Sequence, residues 1–285
     1  MKLKIGGVPE HFNLPWRLAM EERLFKEEDI HLHWEDMGGG TGQMIRGLEN
    51  KSLDVAVLLT EGISQSILSG LDAKIIQVYV STSLRWGVHV PTDAGIEEIS
   101  QLEGKAFAIS RHGSGSHLMT YVMADQQGWD LSQLKFEVVG DVYGGLWALE
   151  KHKAFGFLWE KYTTSPHVEQ GKCNYVGEVV TPWPCFCIAV RNDIINEFGD
   201  KLKSMCDIVN KRAEKLKNSD EAIDTISWRY NLKSDNVRNW LRETNWNYNG
   251  DDFSTEIGET VKYLEKLNLI KPEQSEDWKE KLLAW

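Results

Sequence analysis

The sequence predicts an α/β protein of two lobes, and three observations lead there. Short apolar strands alternate with amphipathic helices through the first 190 residues, the pattern of largely parallel sheets covered by helices. A second strand-and-helix series begins after residue 80, and from Asn192 the pattern turns wholly helical. The 285 residues also exceed the roughly 100–200 of a typical domain. Two α/β series followed by helices do not fit one barrel. They fit two lobes, with the C-terminal helices returning to cover the first.

In chain order, Leu3–Gly6 reads as a strand and Pro15–Phe25 as a helix, with proline suited to its first turn. Ile30–Glu35 is a strand, and Gly42–Leu48 a helix with Met44, Ile45 and Leu48 on one face. Asp54–Leu59 has the continuous apolar run of a buried parallel strand, and the helix after it spaces Ile63, Ile67 and Leu71 by four. Ala73–Val80 closes the first series. The second holds strands Gly87–Val90 and Ala106–Ser110, then a helix bearing Leu118, Met119, Val122 and Met123. Strand Phe136–Val139, a helix around Leu146–Lys151 and strand Ala154–Leu158 follow. Tyr175–Val180 and Cys185–Val190 are strands flanking Thr181-Pro182-Trp183-Pro184. Beyond them, Leu202, Met205, Val209 and Leu216 suit a long helix, Ser219-Asp220 and Ser234 cap the next two, and Ile257, Val261, Leu264 and Leu267 mark the last.

Composition excludes several function classes. With 32 Lys+Arg against 43 Asp+Glu the formal net charge is −11, and no basic run exceeds two residues, so neither nucleic acid nor an anionic membrane is favoured as a partner. No segment approaches the ~20 apolar residues of a spanning helix, so no membrane insertion is expected. The start, Met1-Lys2-Leu3-Lys4-Ile5, lacks the apolar core of a signal peptide. The chain as it stands is expected to be cytoplasmic, or periplasmic or extracellular where a leader has been removed. Cys173, Cys185, Cys187 and Cys206 are too few and too clustered for a disulfide scaffold, and reduced thiols are expected.

Two loops share a design. Strand Ile30–Glu35 leads into Gly38-Gly39-Gly40-Thr41-Gly42 and a helix, and strand Ala106–Ser110 leads through Arg111-His112-Gly113-Ser114-Gly115-Ser116-His117 into another. Glycine lets backbone approach a ligand, and the free N–H groups of a helix start favour an anion or a carbonyl. Thr41, Ser114 and Ser116 add hydroxyls that either cap the helix or meet a ligand. Each loop reads equally as a βα turn that needs glycine for its geometry. Neither the Gly-Lys-Ser/Thr of a phosphate loop nor the Gly-x-Gly-x-x-Gly dinucleotide spacing is present, so nucleotide binding is weakly supported.

Taken together, an ordered set of motifs resembles the type II periplasmic binding proteins, in the branch of receptors for alkanesulfonates, taurine, nitrate and thiamine-pyrimidine precursors. The matching stretches are Gly39–Ile45, Leu53–Val57, Arg85–Val90, Leu102–Lys105, Ser110–His117 and Pro182–Pro184, spread over roughly residues 1–200. The resemblance implies a type II periplasmic-binding-protein-like α/β fold with a helical C-terminal extension on the first lobe. The first lobe would be 1–82 plus 188–285 and the second 83–187, closing by a hinge over a small polar organic ligand of the pyrimidine or sulfonate kind. It also implies which residues line the cleft. From the first lobe these are Glu10, His11 and Phe12, then Gly40, Thr41 and Gly42, then Thr60 and Glu61. The second lobe would add Ser110, Arg111, His112, Ser114, Gly115, Ser116 and His117. Asp141 and Tyr143, Trp159 and Glu160, and Trp183 near the crossing complete the set. An ABC permease is the partner that a transport role implies.

Individual residues keep their alternatives. Trp159 and Trp183 suit a planar ligand, whereas most of the 12 tryptophans, such as Trp228, Trp240 and Trp246, are expected to pack between helices. Glu61, Asp141 and Glu160 each either fix an amino or ring-nitrogen group or cap a helix start. Arg85 or Arg111 could supply one contact to an anion. His11, His112 and His117 could make polar contacts or serve as bases, but no metal motif links them and no metal or cofactor is expected. Cys185-Phe186-Cys187 opens an enzyme alternative, since fungal thiamine-pyrimidine synthases resemble this fold and carry a run ending in Cys-Phe-Cys. Alternation puts both thiols on one strand face, equally a packed core. The expectation is a monomeric, non-enzymatic binder. A pyrimidine-synthase-like enzyme and a cytoplasmic ligand sensor are the alternatives.

Overall fold

The computed structural model describes residues 1–246 and 252–285. In chain order the elements are β1 (Lys2–Gly7), α1 (Leu14–Glu21), β2 (His31–Asp36), α2 (Gly40–Glu49), β3 (Val55–Leu59), α3 (Thr60–Leu68) and β4 (Ala73–Val90). Then come β5 (Ala106–Ile109), α4 (Gly115–Gln127), β6 (Lys135–Val138), α5 (Val142–Glu150), β7 (Gly156–Glu160), α6 (Lys161–Glu169) and β8 (Asn174–Arg191). The helices α7 (Asn192–Lys217), α8 (Ala222–Tyr230), α9 (Ser234–Glu243), α10 (Ser254–Lys266), α11 (Pro272–Ser275) and α12 (Trp278–Leu282) finish the chain. Two units form, Met1–Thr82 with Trp183–Trp285, and Ser83–Pro182; β4 and β8 carry the chain across the divisions.

In the first unit the strand order is β2-β1-β3-β8-β4. β1 pairs in parallel with β2 (Ile5 opposite Trp34) and with β3 (Ile5 opposite Val55), and β3 runs antiparallel to β8 with Leu59 opposite Phe186. β3 is apolar along its length because helices cover both faces, and Val55 to Leu58 are fully buried. The helical extension returns to this unit, as expected. Asn210 of α7 exchanges two amide hydrogen bonds with Gln77 of β4 (2.7 and 3.1 Å), and Arg212 pairs with Glu22 at 2.9 Å. The second unit orders its strands β4-β7-β5-β6, with β5 parallel to both neighbours and β7 antiparallel to β4. Its core gathers Ala108, Leu146, Leu149, Phe157 and Cys173; each large apolar side chain so buried contributes about 1.5–3 kcal/mol.

Several expectations change, and one helix is added. Ala73–Val80 and Gly87–Val90 are one 18-residue strand, because the polar stretch Ser81–Arg85 holds no glycine or proline to break an extended backbone. Tyr175–Val180 and Cys185–Val190 likewise join through Pro182 and Pro184. Those prolines stand two apart, so the N–H groups they lack all belong to one edge of the strand, and the other edge keeps its donors. The first helix ends at Glu21 rather than Phe25, since Arg23 turns into the left-handed region (φ 61°) before a 3-10 turn at Leu24–Glu28. The sequence gives no sign of α6, which holds Pro166; the Tyr162 carbonyl that proline cannot satisfy accepts the Ser165 hydroxyl at 2.9 Å instead. Trp240 and Trp246 are buried, but Trp228 is 83% exposed, because Ala222 and Ile226 define the buried face of α8 and Trp228 falls opposite.

Candidate functional site

Open α/β sheets bind ligands beyond the carboxyl ends of their strands, where successive connections diverge to opposite sides. In the first unit that point lies between β1 and β3, because the chain leaves β1 for β2 on one side and then returns to β3 on the other. The residues beyond β1 (Val8–Asn13), the start of α2 and the start of α3 meet there.

The β1 loop is pinned rather than free. The Phe12 carbonyl accepts from both Tyr79 Oη and Trp246 Nε1 (3.1 Å each), and the Phe12 ring stacks on Phe186 at 3.7 Å and 13°. His11 turns the other way, edge-on to Trp240 at 4.1 Å and close to Tyr230. Burial holds its imidazole neutral, with the pKa pushed down to about 3, and its Nε2 has no partner. Glu10 is partly buried just before it. The α2 start places Gly40 at φ +65°, where a side chain would be strained, ahead of Thr41 and Gly42. Thr41 Oγ1 accepts the Leu59 amide at 3.3 Å, and a Cβ on Gly62 would lie 2.6 Å from Thr41 Cγ2, so the two helix starts are in direct contact.

At the α3 start, Thr60 Oγ1 lies 3.0 Å from Cys187 Sγ. Beside it Glu61 is only 1% exposed, although it is a carboxylic acid. Its Oε2 accepts from Trp183 Nε1 at 2.8 Å, while Oε1 is buried without a hydrogen-bond partner. Burial, opposed by its own backbone N–H and by the indole, pushes its pKa up to about 7. Trp183 is itself held edge-on against Tyr263 (5.4 Å).

In the second unit the corresponding point lies between β5 and β7. Ser116 Oγ accepts the Ser110 amide and meets Ser114 Oγ, both at 3.0 Å, and Ser114 caps α4 by accepting from the His117 amide. Arg111 stands in the same turn, its amide 3.5 Å from Ser114 Oγ. Gly113, at φ +75°, donates its amide to His117 Nδ1 (3.1 Å), and Gly115 opens the helix. His117 packs edge-on to His112, Tyr121 and Phe136, and burial, with a smaller push from His112, lowers its pKa to about 4. The serine hydroxyls therefore brace the turn and leave backbone N–H groups at its mouth. Ser116→Ala would strip partners from the Ser110 amide and the Ser114 hydroxyl. It is expected to cost about 1–3 kcal/mol, read from the urea midpoint of unfolding.

Both oxygens of Glu160 cap α6, accepting from the Tyr162 amide (3.1 Å) and the Thr163 amide (2.6 Å). Asp141 caps α5 through the Gly144 amide at 2.9 Å. Of the three acids, Glu61 alone keeps a buried oxygen unmatched. Tyr143 is 68% exposed and Trp159 leans on Phe157 (5.5 Å). Arg85 is engaged by Glu178, whose other oxygen takes Lys161 at 2.8 Å and Tyr175 at 3.2 Å. Sequence reading missed this network and missed Phe186 as the stacking partner of Phe12; the signal for Phe186 lay only in the β3–β8 register. Cys185 and Cys187 are buried, and burial pushes the Cys187 thiol up to about 12, so it is protonated at neutral pH and supplies no nucleophilic thiolate. Among the described residues no cluster of His, Cys, Asp or Glu has the make-up to hold a metal, and no helix is long and apolar enough to cross a membrane.

Residues 86–179 match the family described as Ca3427-like PBP. No curated protein matches the sequence. Among solved structures, the Candida albicans CA3427 gene product, described as having the generic periplasmic binding protein fold, is 23% identical with a TM-score of 0.91; the match covers 100% of this chain and 96% of that one. The alkanesulfonate-binding protein SsuA from Xanthomonas axonopodis pv. citri, bound to MOPS, is 14% identical with a TM-score of 0.75, covering 96% and 95%. PhnD1 from Prochlorococcus marinus, in complex with methylphosphonate, is 15% identical with a TM-score of 0.61, covering 94% and 99%. The chain has the type II periplasmic-binding-protein-like fold.

Proposed function

We propose that the protein is a solute receptor that reversibly captures a small polar organic molecule and performs no chemistry on it. One observation carries the reading: each unit sets a helix start at its topological switch point, opened by a tight turn with its own hydrogen bonds, Gly39 amide to Gln43 Oε1 (2.8 Å) before α2 and Ser110 amide to Ser116 Oγ (3.0 Å) before α4. First-turn N–H groups of α2 and α4 supply donors that no intrahelical bond uses. The braced turns mean that little order has to be created on binding. Two further points support capture over catalysis. The Cys187 thiol stays protonated, and the solved structures that share the fold include proteins described as binding sulfonate and phosphonate compounds. In a transport role the macromolecular partner is an ABC permease.

The test is a thermal-shift screen of the full chain against aminopyrimidines, alkanesulfonates, phosphonates and amino acids. A true ligand raises Tm with concentration, by about 2.7 kcal/mol of stabilisation at a hundredfold excess over Kd. A screen in which no compound moves Tm would remove the proposal.

A further inference from the structure

We propose that the first unit's switch-point site takes a nitrogen group bearing an N–H donor, of the amidine or aminoheteroaromatic class, with Glu61 Oε1 as its acceptor. The proposal rests on the reading of the chain as a solute receptor and names the chemistry that its first unit recognises.

Three observations converge. Glu61 is 1% exposed and its Oε1 has no hydrogen-bond partner, although buried polar atoms are almost always paired. Leaving such an atom unmatched costs about 1–3 kcal/mol, which an arriving N–H would recover. Secondly, the carboxyl is already aimed. Trp183 Nε1 holds Oε2 at 2.8 Å, and Tyr263 braces the indole edge-on, so the position of the free oxygen is fixed. Thirdly, an anion is disfavoured at this place. The N-terminus of α3 would suit a sulfonate or phosphonate, but Glu61 occupies its first turn and receives its own backbone N–H. Above its pKa of about 7, where the carboxyl is ionised, a second negative group would meet it in a buried setting where like charges repel most strongly.

The test uses four probes on the full chain by isothermal titration calorimetry: 4-aminopyrimidine, benzamidine, 4-methoxypyrimidine and ethanesulfonate. The first two share the N–H donor and differ in charge, so they separate a neutral from a cationic source. The methoxy compound keeps the ring without the donor. Binding of 4-aminopyrimidine or benzamidine is expected, with the methoxy analogue weaker by about tenfold or more. Glu61→Gln offers one oxygen where Trp183 and the ligand each need one, and is expected to lose a similar factor. A readout independent of variant folding is the 13C resonance of the Glu61 carboxyl, which should move with the amino compound and stay still with the methoxy one. Ethanesulfonate binding while both N–H probes are silent would overturn this inference and leave solute capture standing. Silence from all four probes, with an anionic hit in the thermal-shift screen, overturns it equally; silence in both experiments overturns capture itself.

Discussion

The stability of Glu61→Gln relative to the parent is expected to rise by about 2 kcal/mol between pH 5 and pH 8. The sign follows from proton counts. The unfolded carboxyl releases its proton near 4.5, while burial holds the folded one until about 7. Through that window the native state binds more protons than the unfolded state, so raising the pH costs stability, and the cost is complete above the folded pKa. Glutamine cannot titrate and carries no such cost. His11 and His89, both kept neutral by burial with pKa values pushed down to about 3 and about 4, destabilise the fold as pH falls below the ordinary histidine value. They are common to both proteins and cancel in the difference. Urea midpoints measured from pH 5 to pH 8.5 on parent and variant supply the test. Parallel curves would mean that Glu61 is hydrated in the folded state. A variant that is more stable and also binds its ligand less well would show a residue kept for function at a cost to stability.

That residue also shows how far the sequence can be read. Local pattern locates the α3 start, since an apolar run ends at Leu59 and the helical spacing of Ile63 and Ile67 begins. An acid in the first turn of a helix normally reads as a solvated partner of the helix dipole. Its burial depends on Trp183, 122 positions away, and on Cys187 beside Thr60, and nothing within a short window carries that information. Asp141 and Glu160 were more legible: an acid followed three residues later by the residue whose amide it accepts is a local signal, and both serve as caps. The glycine loops were legible as turns, and their serines proved to brace the backbone. β4 and β8 were hidden for the opposite reason, because polar residues and prolines imitate a loop where long-range pairing keeps the strand extended.

In the second unit the largest single-methyl effect is expected at Gly144. A Cβ there would lie 2.0 Å from the carbonyl oxygen of Val139, a backbone atom that has no rotamer by which to withdraw. The same close approach lets the Gly144 amide reach Asp141 Oδ1 at 2.9 Å, so the start of α5 and its cap move together. Gly144→Ala is therefore expected to cost about 2–4 kcal/mol, combining overpacking with loss of the cap. Two other glycines calibrate the figure. Gly140→Ala meets no atom within 4 Å but must hold φ near +86°, and should cost about 1–2 kcal/mol. Gly38→Ala in the first unit meets neither obstacle and should stay within about 0.5 kcal/mol of the parent. Hydrogen exchange read by mass spectrometry on all three separates the causes. Gly144→Ala should deprotect the α5 amides, those of the core residues Leu146 and Leu149 among them, while β1 and β3 of the first unit keep their protection. An alanine variant as protected as the parent would mean that the 139–144 turn has room for a methyl group and keeps the Asp141 cap.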